Sequence, residues 1–104
     1  MSVRVRVTPE AEADIEEAFV WYRHANRGLG DQFLDALEDT LSQVAAHPRA
    51  FGVVHGAIRR ALLRRFPYGI FYIFEGEDVV VLGCFHARRD PTVWKIRGRR
   101  YTET

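Results

Sequence analysis

Apolar positions recur along the first half of the chain with two different periods. Val3, Val5 and Val7 alternate with arginines, which is typical of a strand with one buried face. Over residues 9 to about 25, and again over about 30 to 46, apolar residues return at helical spacing. The pattern therefore predicts one strand followed by two amphipathic helices.

The boundaries of the two helices are marked by residues with known preferences. Thr8 followed by Pro9 predicts the start of the first helix, because a hydroxyl residue caps and proline suits the first helical position. Residues 26–30 contain two glycines and predict a break, so the helices form an antiparallel hairpin. Trp21 and Tyr22 are assigned to the core between this hairpin and a sheet.

The second half of the chain reads as strands. Residues 68–74 and 79–85 are nearly continuous apolar runs, rich in β-branched and aromatic residues, and the polar spacer 75–78 has the length of a hairpin loop. The pattern of residues 57–66 predicts a less regular strand before these two runs, and the pattern of residues 49–56 predicts a loop. These strands form an antiparallel meander, because no helical crossover lies between them.

Together these elements predict an α+β fold in a single domain, 1–104, with the order β-α-α-β-β-β. The helical hairpin packs on an antiparallel sheet, and Pro91 begins a short terminal helix that holds Trp94. Residues 93–104 form a basic helix or tail.

The charge of the chain is unevenly distributed. Residues 1–48 carry a net charge of −5 and residues 49–104 a net charge of +6, although the whole chain has only +1. Arginine pairs precede and follow the predicted hairpin. Such a basic patch suits a phosphate backbone or an acidic protein partner, and it is equally typical of a solvated surface without a ligand.

Several kinds of chemistry find no support in the sequence. Cys84 is the single cysteine and lies in an apolar run, so we expect a buried thiol and no disulfide. The four histidines have no metal-ligand spacing, and we expect neither a metal site nor a cofactor. No apolar run is long enough to cross a bilayer, and residues 1–10 contain no signal-peptide core, so we expect a cytoplasmic protein without membrane contacts.

Cations and aromatic residues cluster where the last predicted strand ends. Arg88 and Arg89 directly follow that strand, and His86 and Trp94 lie nearby in the sequence. Guanidinium groups suit a nucleic-acid backbone or an acidic segment of a protein. The alternative interpretation is structural: one arginine pairs with Asp90, His86 is held by hydrogen bonds, and Trp94 anchors packing.

Three stretches, which cover nearly the whole chain together, resemble a known family. They are TPEAEADIEEAFVWY, LGDQFLDALEDTL and the run from IRRALLRRFPYGIFY to HARRDPTVW. The chain resembles the RelE/ParE superfamily of toxins from type II toxin–antitoxin modules, and in particular its ParE-like, plasmid-stabilisation branch. The resemblance implies a toxin that inhibits DNA gyrase, is neutralised by a cognate antitoxin, and reaches operator DNA indirectly, mainly through that antitoxin.

The resemblance and the charges suggest which residues meet each partner. The candidates for target binding are Arg88, Arg89, Trp94 and Arg97. The candidates for antitoxin binding are Arg59, Arg64, Arg65, Phe33 and Leu37.

The RelE-like branch of the superfamily implies a different activity, a ribosome-dependent mRNA endonuclease. In this chain its residues would be Arg60, Arg88 and His86. Leu62 and Gly69 stand where that branch has cationic residues, and neither can stabilise a charged transition state. We therefore expect a protein-binding inhibitor rather than an enzyme. A third alternative is a degenerate module that binds its antitoxin but harms no target.

Overall fold

Three helices and five strands make up the part of the chain that the computed structural model describes, residues 3–102. In chain order they are β1 (Arg4–Val7), α1 (Pro9–Ala25), α2 (Arg27–Ala46), β2 (Val53–His55), β3 (Ile58–Leu62), β4 (Tyr68–Glu75), β5 (Asp78–His86) and α3 (Pro91–Thr102). The α+β class and the helical hairpin predicted from the sequence are confirmed.

The strands form one mixed sheet in the order β1-β5-β4-β3-β2. Strands β3, β4 and β5 form the predicted antiparallel meander, and β2 pairs antiparallel with β3. Strand β1 runs parallel to β5, with Val5 opposite Val79. The sequence pattern left the place of the first strand open, and the sheet is mixed rather than antiparallel throughout because of this pair. Parallel neighbours need a long connection, and the two helices and three strands between β1 and β5 supply it.

Apolar side chains cover both faces of the sheet. One face packs against the α1–α2 hairpin and the other against α3. Because β4 and β5 lie in the middle of the sheet, residues on both of their faces are buried, which explains their continuous apolar runs. The hairpin-side core includes Phe33, Leu37, Ile70, Tyr72 and Val81, and the α3-side core includes Ile58, Phe71, Leu82, Phe85 and Trp94.

Capping residues fix the helical hairpin. The hydroxyl of Thr8 accepts a hydrogen bond from Ala11 N and donates one to Val81 O, so it caps α1 and ties it to β5. Asn26 alone separates the helices, and its side chain caps α2 by accepting from Gly28 N at 2.9 Å. The predicted break at residues 26–30 is thus too long. Gly30 lies inside α2, where a Cβ would be 3.0 Å from Phe19, so helix contact rather than a turn explains this glycine.

The third and second strands differ from the prediction. Strand β2 lies in the stretch predicted as a loop, and it pairs with β3 through Val53 and Arg59. Strand β3 ends at Leu62, several residues before the predicted end at residue 66. The chain turns there instead, and Arg65 adopts a left-handed backbone with φ of 69°.

The predicted hairpin between β4 and β5 is confirmed. Gly76 occupies the first loop position with φ of 60°, as tight two-residue hairpins require. Farther along, the register shifts: Phe71 pairs with Gly83 and Tyr72 with Val81, so Leu82 is an extra residue in β5. Such a bulge redirects the side chains that follow it, here those of Cys84 and Phe85.

The terminal helix α3 begins at Pro91, as predicted, and continues to Thr102. Asp90 Oδ1 accepts a hydrogen bond from Thr92 N and thereby caps it. Residues 103 and 104 of the predicted basic segment lie outside the described residues. No helix within residues 3–102 is long and apolar enough to cross a membrane.

Candidate functional site

The turn that follows β5 presents Arg88 and Arg89 on the surface. His86 holds this turn, because its Nδ1 accepts from Arg88 N at 3.1 Å and its carbonyl accepts from Arg89 N at 2.9 Å. Ala87 N donates to Pro67 O at 2.7 Å and fastens the turn to the start of β4. Both arginine side chains are exposed, so the turn offers two cations on a fixed backbone.

The hydrogen bond to His86 defines its tautomer. Because Nδ1 accepts from Arg88 N, the neutral imidazole carries its proton on Nε2. The ring also lies 5.6 Å from that of Tyr68, edge to face. These contacts give His86 a structural role in ordering the arginine turn.

Arg97 lies on α3 and is engaged in an internal ion pair. Its Nη1 donates to Asp14 Oδ2 at 2.5 Å and to Leu82 O at 3.1 Å, and Asp14 also accepts from Cys84 N. The two side chains are only 18% and 14% exposed. Since β1 pairs with β5 only as far as Val81, this ion pair satisfies backbone groups at the sheet edge beyond it.

Trp94 also contributes to packing. It is 7% exposed, and its ring stacks on Phe71 with centroids 5.1 Å apart. The structure therefore places Arg88 and Arg89 together on the surface, and it places Trp94 and Arg97 between α3 and the sheet.

The residues predicted to bind an antitoxin do not form one surface. Phe33 and Leu37 are 0% and 5% exposed, and the sheet covers them, so neither side chain offers surface to a partner. Arg59 is part-buried, and its Nη1 donates to the carbonyl of Phe51 at 2.6 Å. Arg64 and Arg65, by contrast, are exposed.

Three of the ribonuclease positions, Arg60, Leu62 and Gly69, lie on β3 and β4. Gly69 is opposite Leu62, and a Cβ on Gly69 would be 3.1 Å from Arg60 Cγ and 3.3 Å from Leu62 Cδ2. The space that a side chain at residue 69 would need is thus occupied by its neighbours. Arg60 and Arg88 are the cations present at the positions that the RelE-like branch implies.

Sequence reasoning missed an exposed tryptophan. Trp21 was expected in the core with Tyr22, but Trp21 is 64% exposed whereas Tyr22 is 9% exposed. Trp21 borders a cleft of about 450 Å³ between α1 and the end of β5. This space is called the Trp21 cleft below; its walls include Val20, Trp21, His24, Tyr68, His86 and Arg89.

Cys84 is one of the residues that line the Trp21 cleft. It is 2% exposed, and burial, assisted by the nearby Asp14 carboxylate, raises the pKa of its thiol to about 12. A thiol that stays protonated is a poor nucleophile, so Cys84 acts as a small apolar residue. Among the described residues, no group of histidine, cysteine and acidic side chains could hold a metal ion.

Comparisons with known proteins identify relatives of the chain. A family model described as the ParE toxin of the type II toxin–antitoxin system parDE matches residues 5–91. Toxin ParE2 from two strains of Mycobacterium tuberculosis, CDC 1551 / Oshkosh and ATCC 25618 / H37Rv, is 28% identical over 104 residues, which span 97% of this chain and 99% of each relative.

A solved structure has the same fold. It comes from the chromosomal ParDE TA system of P. aeruginosa, with a TM-score of 0.61 and 18% identity, and the match covers 81% of this chain and 95% of that one.

Proposed function

We propose that this chain, which belongs to the ParE family of toxins from type II toxin–antitoxin systems, inhibits DNA gyrase by binding it through the turn that carries Arg88 and Arg89. The family membership implies an antitoxin partner. Gyrase as the target, the cytoplasm as the place of action, and operator binding through the antitoxin are parts of the proposal.

The proposal depends on how the turn after β5 holds Arg88 and Arg89, with exposed side chains on a fixed backbone. Both are exposed on a turn whose backbone is fixed by His86 and Pro67, so little backbone entropy is lost when a partner binds. Guanidinium groups on a rigid scaffold suit carboxylates or phosphates at the surface of a protein–DNA complex. Both lie within the residues that the family model matches.

Trp94 and Arg97 anchor α3 on the sheet, so we assign neither of them contact with the target. Arg97 lies over the Phe85 ring at 4.6 Å, and Arg89 lies over the same ring at 5.5 Å. Phe85 thus separates the buried cation from the exposed one. We assign target contact to Arg88 and Arg89, and we assign positioning of α3 to Trp94 and Arg97.

The alternative function, RelE-like cleavage of mRNA on the ribosome, has less support. It would require Arg60, Arg88 and His86 to act together on a phosphate. His86 Nδ1 already accepts a backbone hydrogen bond, and Leu62 and Gly69 supply no charge. We therefore propose a protein-binding inhibitor that is not an enzyme.

A supercoiling assay with purified variants tests the gyrase proposal. Arg88→Ala/Arg89→Ala is expected to raise the concentration for half-inhibition of gyrase by at least about 30-fold, because even one hot-spot arginine contributes roughly 2 kcal/mol. The matched control is Arg4→Ala/Arg6→Ala, which removes two exposed arginines from β1 and should leave inhibition unchanged. Equal inhibition by both double variants would refute the assignment.

A further inference from the structure

Helix α3 carries two cations on the side that faces away from α1. Its residues 91–102 include four cations and no acid. Two of the cations pair with acids of α1, Arg97 with Asp14 and Arg100 with Glu10. The other two, Lys95 and Arg99, form no ion pair among residues 3–102. The acids of α1 therefore neutralise one side of α3, and the positive charge that remains lies on the other side.

Lys95 and Arg99 are neighbours on one face of the helix. They are four residues apart, which is about one turn and roughly 6 Å along the axis. Lys95 Nζ lies 5.9 Å from the ring centroid of Trp94, and Arg99 is exposed. Each strand of duplex DNA has one phosphate per roughly 3.4 Å of its axis, so phosphates two steps apart are about 7 Å apart along that axis. The two cations match this spacing.

The composition of this helix favours nucleic acid over an acidic protein as the partner. Protein interfaces are centred on aromatic residues and are depleted in lysine, whereas Trp94 is turned into the core and is 7% exposed. Residues 91–102 also contain no Asn or Gln, the side chains that pair with the edge of adenine. The face thus suits phosphates of any sequence.

The cationic face of α3 follows directly on the turn that carries Arg88 and Arg89. Residues 86–102 contain six cations and one acid, Asp90. The carboxylate of Asp90 is engaged at the start of α3, where it accepts from Thr92 N at 2.9 Å. A target that binds the arginine turn therefore comes close to a second basic surface, whose charge attracts any DNA that the target holds.

We propose that Lys95 and Arg99 contact the phosphate backbone of duplex DNA directly, without reading its sequence. The contact itself can be tested without gyrase, and its role in inhibition rests on the proposed function. In that role the arginine turn binds gyrase and α3 binds the DNA that gyrase holds. The toxin then bridges the enzyme and its substrate.

Fluorescence anisotropy of a labelled duplex of about 20 base pairs measures the contact on the antitoxin-free protein. Lys95→Gln/Arg99→Gln removes two phosphate contacts, so the slope of log K against log salt should become less steep by about 1.8 and the affinity should fall at least about tenfold at ~0.1 M salt. The matched control is Arg23→Gln/Arg27→Gln, which removes the same charge from exposed residues of the helical hairpin and should leave the slope unchanged.

Two further measurements separate a phosphate contact from other effects of the substitutions. Lys95→Arg/Arg99→Lys keeps both cations and should retain the slope of the unmodified chain, because counterion release depends on charge. A second duplex of unrelated sequence should bind the unmodified chain within about twofold of the first, because phosphate contacts carry no sequence information.

Binding to DNA-free gyrase separates the DNA contact from the protein contact. Lys95→Gln/Arg99→Gln should bind DNA-free gyrase within about twofold of the unmodified chain, but it should need at least about tenfold more protein to inhibit supercoiling by half. Arg88→Ala/Arg89→Ala, in contrast, should lose affinity for DNA-free gyrase.

Each other outcome has a defined meaning. No DNA binding by the unmodified chain, or an equal salt slope in Lys95→Gln/Arg99→Gln, would overturn the inference. Weaker binding of this variant to DNA-free gyrase, with unchanged DNA binding, would overturn it as well and would assign α3 to an acidic protein surface. DNA binding that depends on Lys95 and Arg99, with no gyrase inhibition by the unmodified chain, would uphold this inference and refute the proposed function.

Discussion

We expect the replacement of Asp14 to destabilise the fold, because its side chain joins α1, β5 and α3. Its carboxylate accepts from Arg97 Nη1 at 2.5 Å, from Arg97 Nη2 at 3.3 Å and from Cys84 N at 3.2 Å. In Asp14→Ala the guanidinium group retains the carbonyl of Leu82 and the face of Phe85. The N–H of Cys84, a residue 2% exposed, loses its acceptor.

The magnitude follows from the burial of the pair. Removing one member of a buried ion pair costs roughly 3–5 kcal/mol, and leaving a buried N–H without an acceptor costs about 1–3 kcal/mol. The side chains of Asp14 and Arg97 are 14% and 18% exposed, so water compensates part of the loss. We expect the free energy of unfolding to fall by about 3 kcal/mol, which corresponds to roughly 12–24 °C in melting temperature.

Urea denaturation followed by circular dichroism measures this change. Glu10→Ala is the matched control, because Glu10 also lies on α1 and pairs with Arg100 on α3, but its side chain is 37% exposed and that of Arg100 is 59% exposed. Exposed pairs contribute about 0–1 kcal/mol. If Asp14→Ala and Glu10→Ala destabilised the protein equally, the buried bridge would not have the importance assigned to it.

Two further predictions concern packing and pH. Gly98→Ala is expected to destabilise the protein by about 1–2 kcal/mol, because the new Cβ would lie less than the usual contact distance from Ile58, and overpacking exceeds the gain in helix propensity. Gly52→Ala meets no atom within 4 Å and should be neutral in the same thermal melts; equal effects would contradict the close contact. Cys84 keeps its proton in the folded chain to a pKa of about 12, whereas the ordinary value is 9, so stability falls as pH rises between these values. Between pH 8 and pH 10, the free energy of unfolding measured in urea should fall by ~1 kcal/mol more in the unmodified chain than in Cys84→Ala. An identical pH dependence of this free energy in the two proteins would contradict the raised pKa.

Local sequence signals predicted the elements that are defined by their own residues. The apolar runs of β4 and β5, the Thr8 cap and Pro91 at the start of α3 each depend on neighbours in the sequence. Strand β2 is different. It has three residues and no periodicity, and it forms because β3 offers a pairing partner. Its existence depends on tertiary structure, which local pattern cannot show.

The candidate site shows the same limit in two ways. Trp21 and Tyr22 lie three and four residues after buried Ala18, and either spacing returns to the same helix face, so only the tilt of α1 on the sheet decides which ring is buried. Asp14 and Arg97 are 83 residues apart, and no local signal pairs them. The exposed position of Arg88 and Arg89, in contrast, could be predicted from the sequence, because they directly follow a buried strand.

The most direct test of the account compares two activities of the antitoxin-free protein. One reaction monitors gyrase supercoiling and trapped double-strand breaks, and a parallel one monitors mRNA on translating ribosomes. We expect gyrase inhibition that depends on Arg88 and Arg89, with the mRNA intact. Ribosome-dependent cleavage with normal supercoiling would contradict the account and would direct attention to Arg60, Arg88 and His86.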